Sequence, residues 1–469
     1  MNLLFYIIIF RLAKFALGSI HPIEITGSHF YNSVTGEPFF IKGVDYQPDG
    51  SSGFTGESDP LSNPQTCARD LIMFQELGIN TIRIYSINPD LDHSKCMTML
   101  AMAGIYLLLD VNSPLQNQHI NRYEPWTTYN TIYLEHVFTL VQEFSQYNNT
   151  LGFFAGNEII NDHKSSENSP VYVKQVVTDI KNYIQNNCIR DVPVGYSAAD
   201  DLRYRVSLSK YLECESPGDS QMKSVDFYGV NSYQWCGQQT LQTSGYDELI
   251  KAYTNFTKPV FFSEYGCNRV LPRQFQESEV LYSPAMAEVF SGGLVYEFTQ
   301  EANNYGLVKI DPHGNAQILD DFRMLQSRFK AIEESLKQQS FTEDLIVAPL
   351  CQAQYPNLGI NMDTPKKLAK LLIEKGVQPT TDGYCDLDST DTETKYKIYN
   401  SDGSTWDISK GIKFINGLTE DRVQSDTKEK GKGKDKTVRK NSAIVHTIPI
   451  KSLMCWITVT VLIPLNLFR

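Results

Sequence analysis

Leu151-Gly152-Phe153-Phe154-Ala155-Gly156-Asn157-Glu158 is a short apolar run that stops on two polar residues. It is too brief for a helix and is punctuated by small residues, so it reads as a buried strand. Burying Asn157 and Glu158 at its end is costly unless something requires them there. Seven more strand-like runs surround it: residues 39–47, 81–85 and 106–110 before it, and 192–196, 227–233, 260–264 and 293–297 after it. Helix-period segments lie between several of them, for example 68–77, 132–144, 171–184 and 246–253; the stretch 207–224 is the least clearly helical.

Alternating strands and helices imply parallel strands. Eight such units closing on themselves make a (β/α)8 TIM barrel. An open doubly wound sheet is the rival, but no Gly-rich nucleotide turn follows the first strand. A barrel places the residues at the C-terminal ends of its strands around one mouth. Those residues are Gln47, Tyr85, Asp110, Asn157, Glu158, Tyr233, Glu264 and Tyr296. A polar residue at one strand end commonly just caps a loop. Glutamates ending both the fourth and the seventh strand are harder to assign to capping.

The remaining chain divides by composition. Residues 1–18 carry an apolar run followed by Ala16-Leu17-Gly18, a pattern expected of a secretory signal peptide, with a short membrane anchor as the alternative. The barrel is expected over 19–338, an ancillary segment packing on or following it over 339–421, and a basic flexible stalk over 422–441. Asn441-Ser442-Ala443, a spacer and an apolar tail then follow the order of a glycosylphosphatidylinositol (GPI) attachment signal, with Asn441 as the attachment residue and 442–469 removed; a retained transmembrane helix is the rival. The chain is thus expected at the outer face of the plasma membrane, with the cell wall as the alternative location. Eight cysteines precede the tail, an even number that suits disulfides in an oxidising compartment, and none has metal-site spacing. Asn148 and Asn255 head glycosylation acceptor triplets. A net charge of -12 argues against nucleic acid as a partner, and nothing in the sequence calls for a metal or cofactor.

Two carboxyls flanking a bond are what glycoside cleavage needs: one protonates the leaving oxygen, the other attacks the sugar or activates water. Strands four and seven lie across a barrel mouth from each other. Glu158 is therefore expected as the acid/base, protonated at the start, and Glu264 as the nucleophile, kept ionised by a tyrosine hydroxyl from Tyr233 or Tyr296. Asn157 is expected to hydrogen-bond a sugar 2-hydroxyl. The alternative, two carboxylates fixed by structural salt bridges, needs a matched arginine; Arg83 and Arg205 are the candidates.

Several motifs carry a resemblance. Ala155-Gly156-Asn157-Glu158, residues 261–268 (Phe-Phe-Ser-Glu-Tyr-Gly-Cys-Asn), 41–48, 83–86, 193–201 and 292–298 recur in order. Over about 21–329 the chain resembles the fungal β-1,3-glucanosyltransferases of glycoside hydrolase family 72. The resemblance implies an enzyme that cleaves β-1,3-glucan internally and transfers the new reducing end to the non-reducing end of another glucan; plain hydrolysis, or an inactive wall-binding protein, are the alternatives. It implies donor contacts from Tyr85, Asn157 and Tyr296, with Asn121 and Arg122 on a loop bordering the donor sites. It implies acceptor contacts from Asp200 and Arg205, and further cleft roles for Gln47, Asp110 and Tyr233. It also implies the disulfides Cys67–Cys96, Cys214–Cys351 and Cys236–Cys267, leaving Cys188 and Cys385 outside the pattern. The cysteine-rich glucan-binding module of some members is not expected here.

Overall fold

The computed structural model of the protein describes residues 20–216, 222–336, 339, 341, 347–362, 368–409 and 411–415. The expected leader (1–18), stalk (422–441) and attachment signal (442–469) lie outside the described residues. Eight strands close into one barrel: β1 (Ile41–Asp45), β2 (Thr81–Ile84), β3 (Tyr106–Asp110), β4 (Thr150–Asn157), β5 (Val194–Ala199), β6 (Phe227–Ser232), β7 (Val260–Tyr265) and β8 (Phe290–Val295). All neighbouring pairs are parallel, and β8 returns to β1 with Gly292 opposite Ile41.

A main helix follows each strand: α1 (Pro64–Leu77), α2 (Ser94–Met102), α3 (Thr131–Phe144), α4 (Pro170–Asn187), α5 (Arg205–Glu213), α6 (Tyr246–Tyr253), α7 (Gln276–Leu281) and α8 (Asp320–Leu336). Local chemistry fixes their ends. Asn63 accepts from the Gln65 and Thr66 amides ahead of Pro64, and Gly78 ends α1 in the left-handed conformation. The stretch that looked least helical, 207–224, holds most of α5.

The barrel interior is packed at its N-terminal end. A hairpin, Ile23–Thr26 against His29–Asn32, covers that end. Its Phe30 ring meets Phe227 and Phe261, the early residues of β6 and β7, in a cluster with Leu108, Phe154 and Leu294. Gly152 and Gly195 leave room for the Phe227 ring, which a Cβ at either position would strike. The filled base leaves the C-terminal face as the accessible end.

The chain beyond α8 wraps the barrel as a belt. Cys351 is disulfide-linked to Cys214 at the end of α5. The Gly359 amide donates to the Ser166 carbonyl, just before α4, and Asn187 of α4 donates to Ile373. The Thr380 and Thr381 amides both donate to Glu143 of α3. Lys95 of α2 pairs with Asp391 at 2.6 Å, Gln65 of α1 accepts from the Lys395 amide, and Arg323 of α8 lies over the Trp406 ring. The belt thus meets the outer helices in reverse chain order. Within the belt, Ile398–Tyr399 is strand, paired with Ala316–Ile318.

Candidate active site

Glu264 is set near the end of β7, where the register with β6 shifts so that Glu264 stands opposite Asn231. Such irregularities re-aim side chains near active sites. Its carboxylate is 8% exposed and accepts from Tyr85 Oη at 2.8 Å, Tyr233 Oη at 2.8 Å and Arg83 Nη1 at 3.3 Å. Burial pushes the Glu264 carboxyl above its usual range, and the charge of Glu158 adds to that; Arg83 and the two tyrosine hydroxyls pull it back. Of the two candidate tyrosines, Tyr233 makes this contact and Tyr296 does not. Tyr85 takes the place foreseen for Tyr296, because Tyr85 follows β2 on the same face as Arg83, which itself reaches Glu264. The Tyr296 hydroxyl instead accepts from Asn303, and its ring packs edge-on against Tyr233 and Tyr305.

Arg83 is fully buried and holds more than one acid. It donates to both carboxylate oxygens of Asp110, at 2.9 and 3.2 Å, and to the Ser263 carbonyl, with the rings of Tyr85 and Phe154 on it. It therefore supports Glu264 without saturating it: both oxygens of Glu264 also carry a tyrosine hydroxyl. Arg205 does not approach either glutamate; it pairs with Asp200. The salt-bridge alternative thus describes Asp110 and Asp200 better than it describes Glu158.

Glu158 turns off the end of β4 with φ 46°, the left-handed region in which a non-glycine residue is strained. Its amide donates to the Ser197 carbonyl, and its carboxylate accepts from Asn231 Nδ2 at 2.8 Å. The same Nδ2 reaches Asn157 Oδ1 at 3.1 Å, which also accepts from Ser197 Oγ at 2.7 Å. With its oxygen committed, Asn157 presents its amide nitrogen to the mouth. Asn231 Oδ1 in turn accepts from the Ser263 hydroxyl at 2.7 Å and lies 3.0 Å from Ser197 Oγ, so β4, β5, β6 and β7 meet under the two glutamates.

Sequence reasoning passed over Arg83 as a site residue and Asn231 altogether. A signal was available: each lies two residues before a mouth residue, Tyr85 and Tyr233, and so points to the same face of its strand.

The other expected residues fall around this centre. Gln47 is buried and accepts from the Tyr85 and Ser86 amides, so it braces the chain carrying Tyr85. Asp110, Asn121, Arg122, Tyr85 and Asn157 line a cleft of about 650 Å³. Asn121 shapes its own loop by accepting from the Tyr123 and Glu124 amides. Asp200 is held by Arg205, Ser232 and Gln234. Cys67–Cys96 and Cys236–Cys267 are disulfide-linked, the latter joining the loops after β6 and β7; Cys188 and Cys385 are unpaired. Among the described residues no group of His, Cys, Asp and Glu is arranged to hold a metal ion.

Residues 13–333 match the Glyco_hydro_72 family model, described as glucanosyltransferase. The chain belongs to glycoside hydrolase family 72. Within that family it is 56% identical over 445 residues to the 1,3-beta-glucanosyltransferase GAS4 of Saccharomyces cerevisiae, covering 94% of each chain. It is 44% identical over 391 residues to the 1,3-beta-glucanosyltransferase gel2 of Aspergillus fumigatus, covering 82% of this chain and 81% of gel2. A crystal structure of a Saccharomyces cerevisiae Gas2p mutant with laminaritetraose and laminaripentaose is similar at a TM-score of 0.65 and 38% identity, over 74% of each chain. The family 72 match spans the barrel and both glutamates.

Proposed function

We propose that this protein is a retaining β-1,3-glucanosyltransferase: it cleaves β-1,3-glucan internally and passes the new reducing end to the non-reducing end of another glucan. The observation that carries the mechanism is the unequal treatment of two carboxyls at one mouth. Glu264 accepts from a guanidinium and two phenols, while Glu158 accepts from a single neutral amide. Burial and the charge of Glu158 raise the Glu264 carboxyl, and the guanidinium and the two hydroxyls offset that rise and favour its ionised form. Glu264 is accordingly the nucleophile, and Glu158 the acid that protonates the leaving oxygen. Asn157 offers its amide nitrogen to the sugar 2-hydroxyl. In the second half, Glu158 takes the proton of an incoming hydroxyl, which attacks the anomeric carbon and releases Glu264. When that hydroxyl belongs to a glucan, the chain grows.

The cleft bounded by Asn121 and Arg122 is read as the donor side, and Asp200 with Arg205 as the acceptor side. The three disulfides suit an oxidising compartment. That agrees with export and a GPI tether at the outer face of the plasma membrane. Asn255 is exposed and Asn148 half-buried, so Asn255 is the more accessible glycan acceptor of the two.

Incubation with a defined β-1,3-glucan oligomer, followed by product sizing, tests the function. Products longer than the substrate are expected. Only shorter products would make the protein an endo-β-1,3-glucanase, and no turnover would leave a glucan-binding protein.

A further inference from the structure

One short piece of the belt reaches the loops after β4 and β5. In a (β/α)8 barrel the segment between a strand's end and its helix belongs to the mouth. Arg203 lies between β5 and α5, and the short helix His163–Asn168 lies between β4 and α4. Asn357 Nδ2 donates to the Arg203 carbonyl at 3.0 Å, and two residues on the Gly359 amide donates to the Ser166 carbonyl at 2.9 Å. One short piece of belt therefore spans two mouth loops.

Each loop leads to one side of the cleft. Arg203 lies between Asp200 and Arg205. The helix His163–Asn168 begins at Asp162, whose carboxylate accepts from Tyr123 Oη at 2.8 Å. Asn168 Nδ2 donates to the Tyr123 carbonyl, and Ser169 Oγ donates to the Arg122 carbonyl. The loop bearing Asn121 and Arg122 is thus bolted to the helix that Gly359 holds.

The clasp has little room for change. A Cβ on Gly359 would collide with the Glu167 carbonyl. Asn357 sits at φ 63°, where Asn and Gly are among the residues that sit with least strain. The piece is anchored just upstream by Cys214–Cys351, with the Tyr355 ring against Tyr211 of α5 and Lys174 Nζ of α4 within 3.3 Å of both sulfurs.

We propose that Asn357 and Gly359 are positioning residues that hold the acceptor-side loop at a fixed distance from the donor-side loop, so that the C-terminal belt sets the partition between transfer and hydrolysis. Water needs no oriented site to reach a glycosyl-enzyme. A sugar hydroxyl does, because its attack depends on a bound, aligned acceptor. Loosening the clasp should therefore slow transfer more than donor cleavage. This inference rests on the transferase reading above.

The test compares Gly359→Ala, Asn357→Gly and Thr381→Val with wild type on a β-1,3-glucan oligomer. Initial donor cleavage, the ratio of longer to hydrolysed products, acceptor KM and Tm are measured for each. Asn357→Gly keeps the left-handed backbone and removes only the donor to Arg203, so it serves if Gly359→Ala does not fold. Thr381→Val removes one side-chain bond of the belt, from Thr381 Oγ1 to Glu143 of α3, away from the Asn357–Gly359 clasp. Gly359→Ala and Asn357→Gly are expected to lower the ratio about threefold or more and raise acceptor KM, with cleavage within about twofold of wild type. Thr381→Val is expected to lower Tm and leave the ratio unchanged. An unchanged ratio in both clasp variants, or an equal shift in Thr381→Val, overturns the inference while the transferase reading stands. A wild type that yields only shorter products overturns both.

Discussion

Removing one phenol from Glu264 should move the pH dependence of catalysis in a direction the contacts allow to be worked out. Tyr85→Phe deletes a hydrogen bond of 2.8 Å to Glu264 Oε1, and Tyr233→Phe one of 2.8 Å to Oε2, while the Arg83 contact at 3.3 Å remains in each. A hydrogen bond to a charged group contributes about 1.5–3 kcal/mol. Each phenol thus favours the ionised over the protonated carboxyl by an interaction of that order and holds the carboxyl down. Losing it disfavours the ionised form, and the sign follows: Glu264 takes up its proton at higher pH. The acid limb of kcat/KM reports the essential base of the free enzyme. That limb should move to higher pH in each variant, and further in Tyr85→Phe/Tyr233→Phe. The assay is initial-rate cleavage of a β-1,3-glucan oligomer from pH 3 to 8, with circular dichroism to confirm the fold. A limb that stays in place, or moves to lower pH, in both folded variants would refute the assignment of these hydroxyls as supports of an ionised Glu264.

Three further outcomes are expected. Glu158→Gln and Glu264→Gln should each reduce turnover by at least about a thousandfold without lowering Tm substantially, measured by product release and thermal melting; substantial turnover removes that residue from the mechanism. Asp45 is fully buried and has no hydrogen-bond partner on either oxygen; burial pushes its carboxyl well above the carboxylate range, and Arg83 at 3.9 Å opposes that. Asp45→Asn should therefore fold and keep kcat/KM within about threefold, whereas a charged role for Asp45 would cost far more. Burial also raises the carboxyls of Asp179, Glu277 and Glu297 to about 7. Because their folded values lie above the unfolded ones near 4, they add stability that is complete at acid pH and lost as pH rises through about 4 to 7. Burial lowers Lys174 to about 7, so its contribution has the other sign and returns only above that pH. Tm should accordingly be higher at pH 5 than at pH 7.5; a rise over that interval would contradict these burials.

What the sequence disclosed follows from how each element is stabilised. Strands of a parallel barrel are buried on both faces, so Leu107-Leu108-Leu109 and Val260-Phe261-Phe262 stand out as apolar runs. The mouth stands out because Glu158 and Glu264 interrupt such runs. The start of β8 was hidden: Phe290-Ser291-Gly292 looks like a turn, yet Gly292 is a strand residue pressed so closely against the Ile41 backbone that a Cβ would not fit. Asn231 was hidden for a different reason. Its work is to link four strands through Ser197, Ser263, Asn157 and Glu158, a relation that exists only once the barrel has closed. Apart from the helix-like run 368–372, which opens into the helix Lys370–Lys375, the belt has no period to read. It is fixed by scattered bonds such as Thr380 to Glu143 and Lys395 to Gln65, each partner far away in sequence.

Trapping the glycosyl-enzyme tests the two-carboxyl mechanism most directly. In a β-1,3-glucosyl donor, fluorine at C2 slows both steps by destabilising the oxocarbenium-like transition state, while a good leaving group restores the rate of the first, so a covalent intermediate accumulates. Peptide mapping by mass spectrometry should find the label on Glu264 in wild type and none in Glu264→Gln. A label on Glu158, on Asp45 or on any other carboxylate would contradict the assignment of Glu264 as the nucleophile, and turnover of the donor with no covalent species would contradict the retaining route.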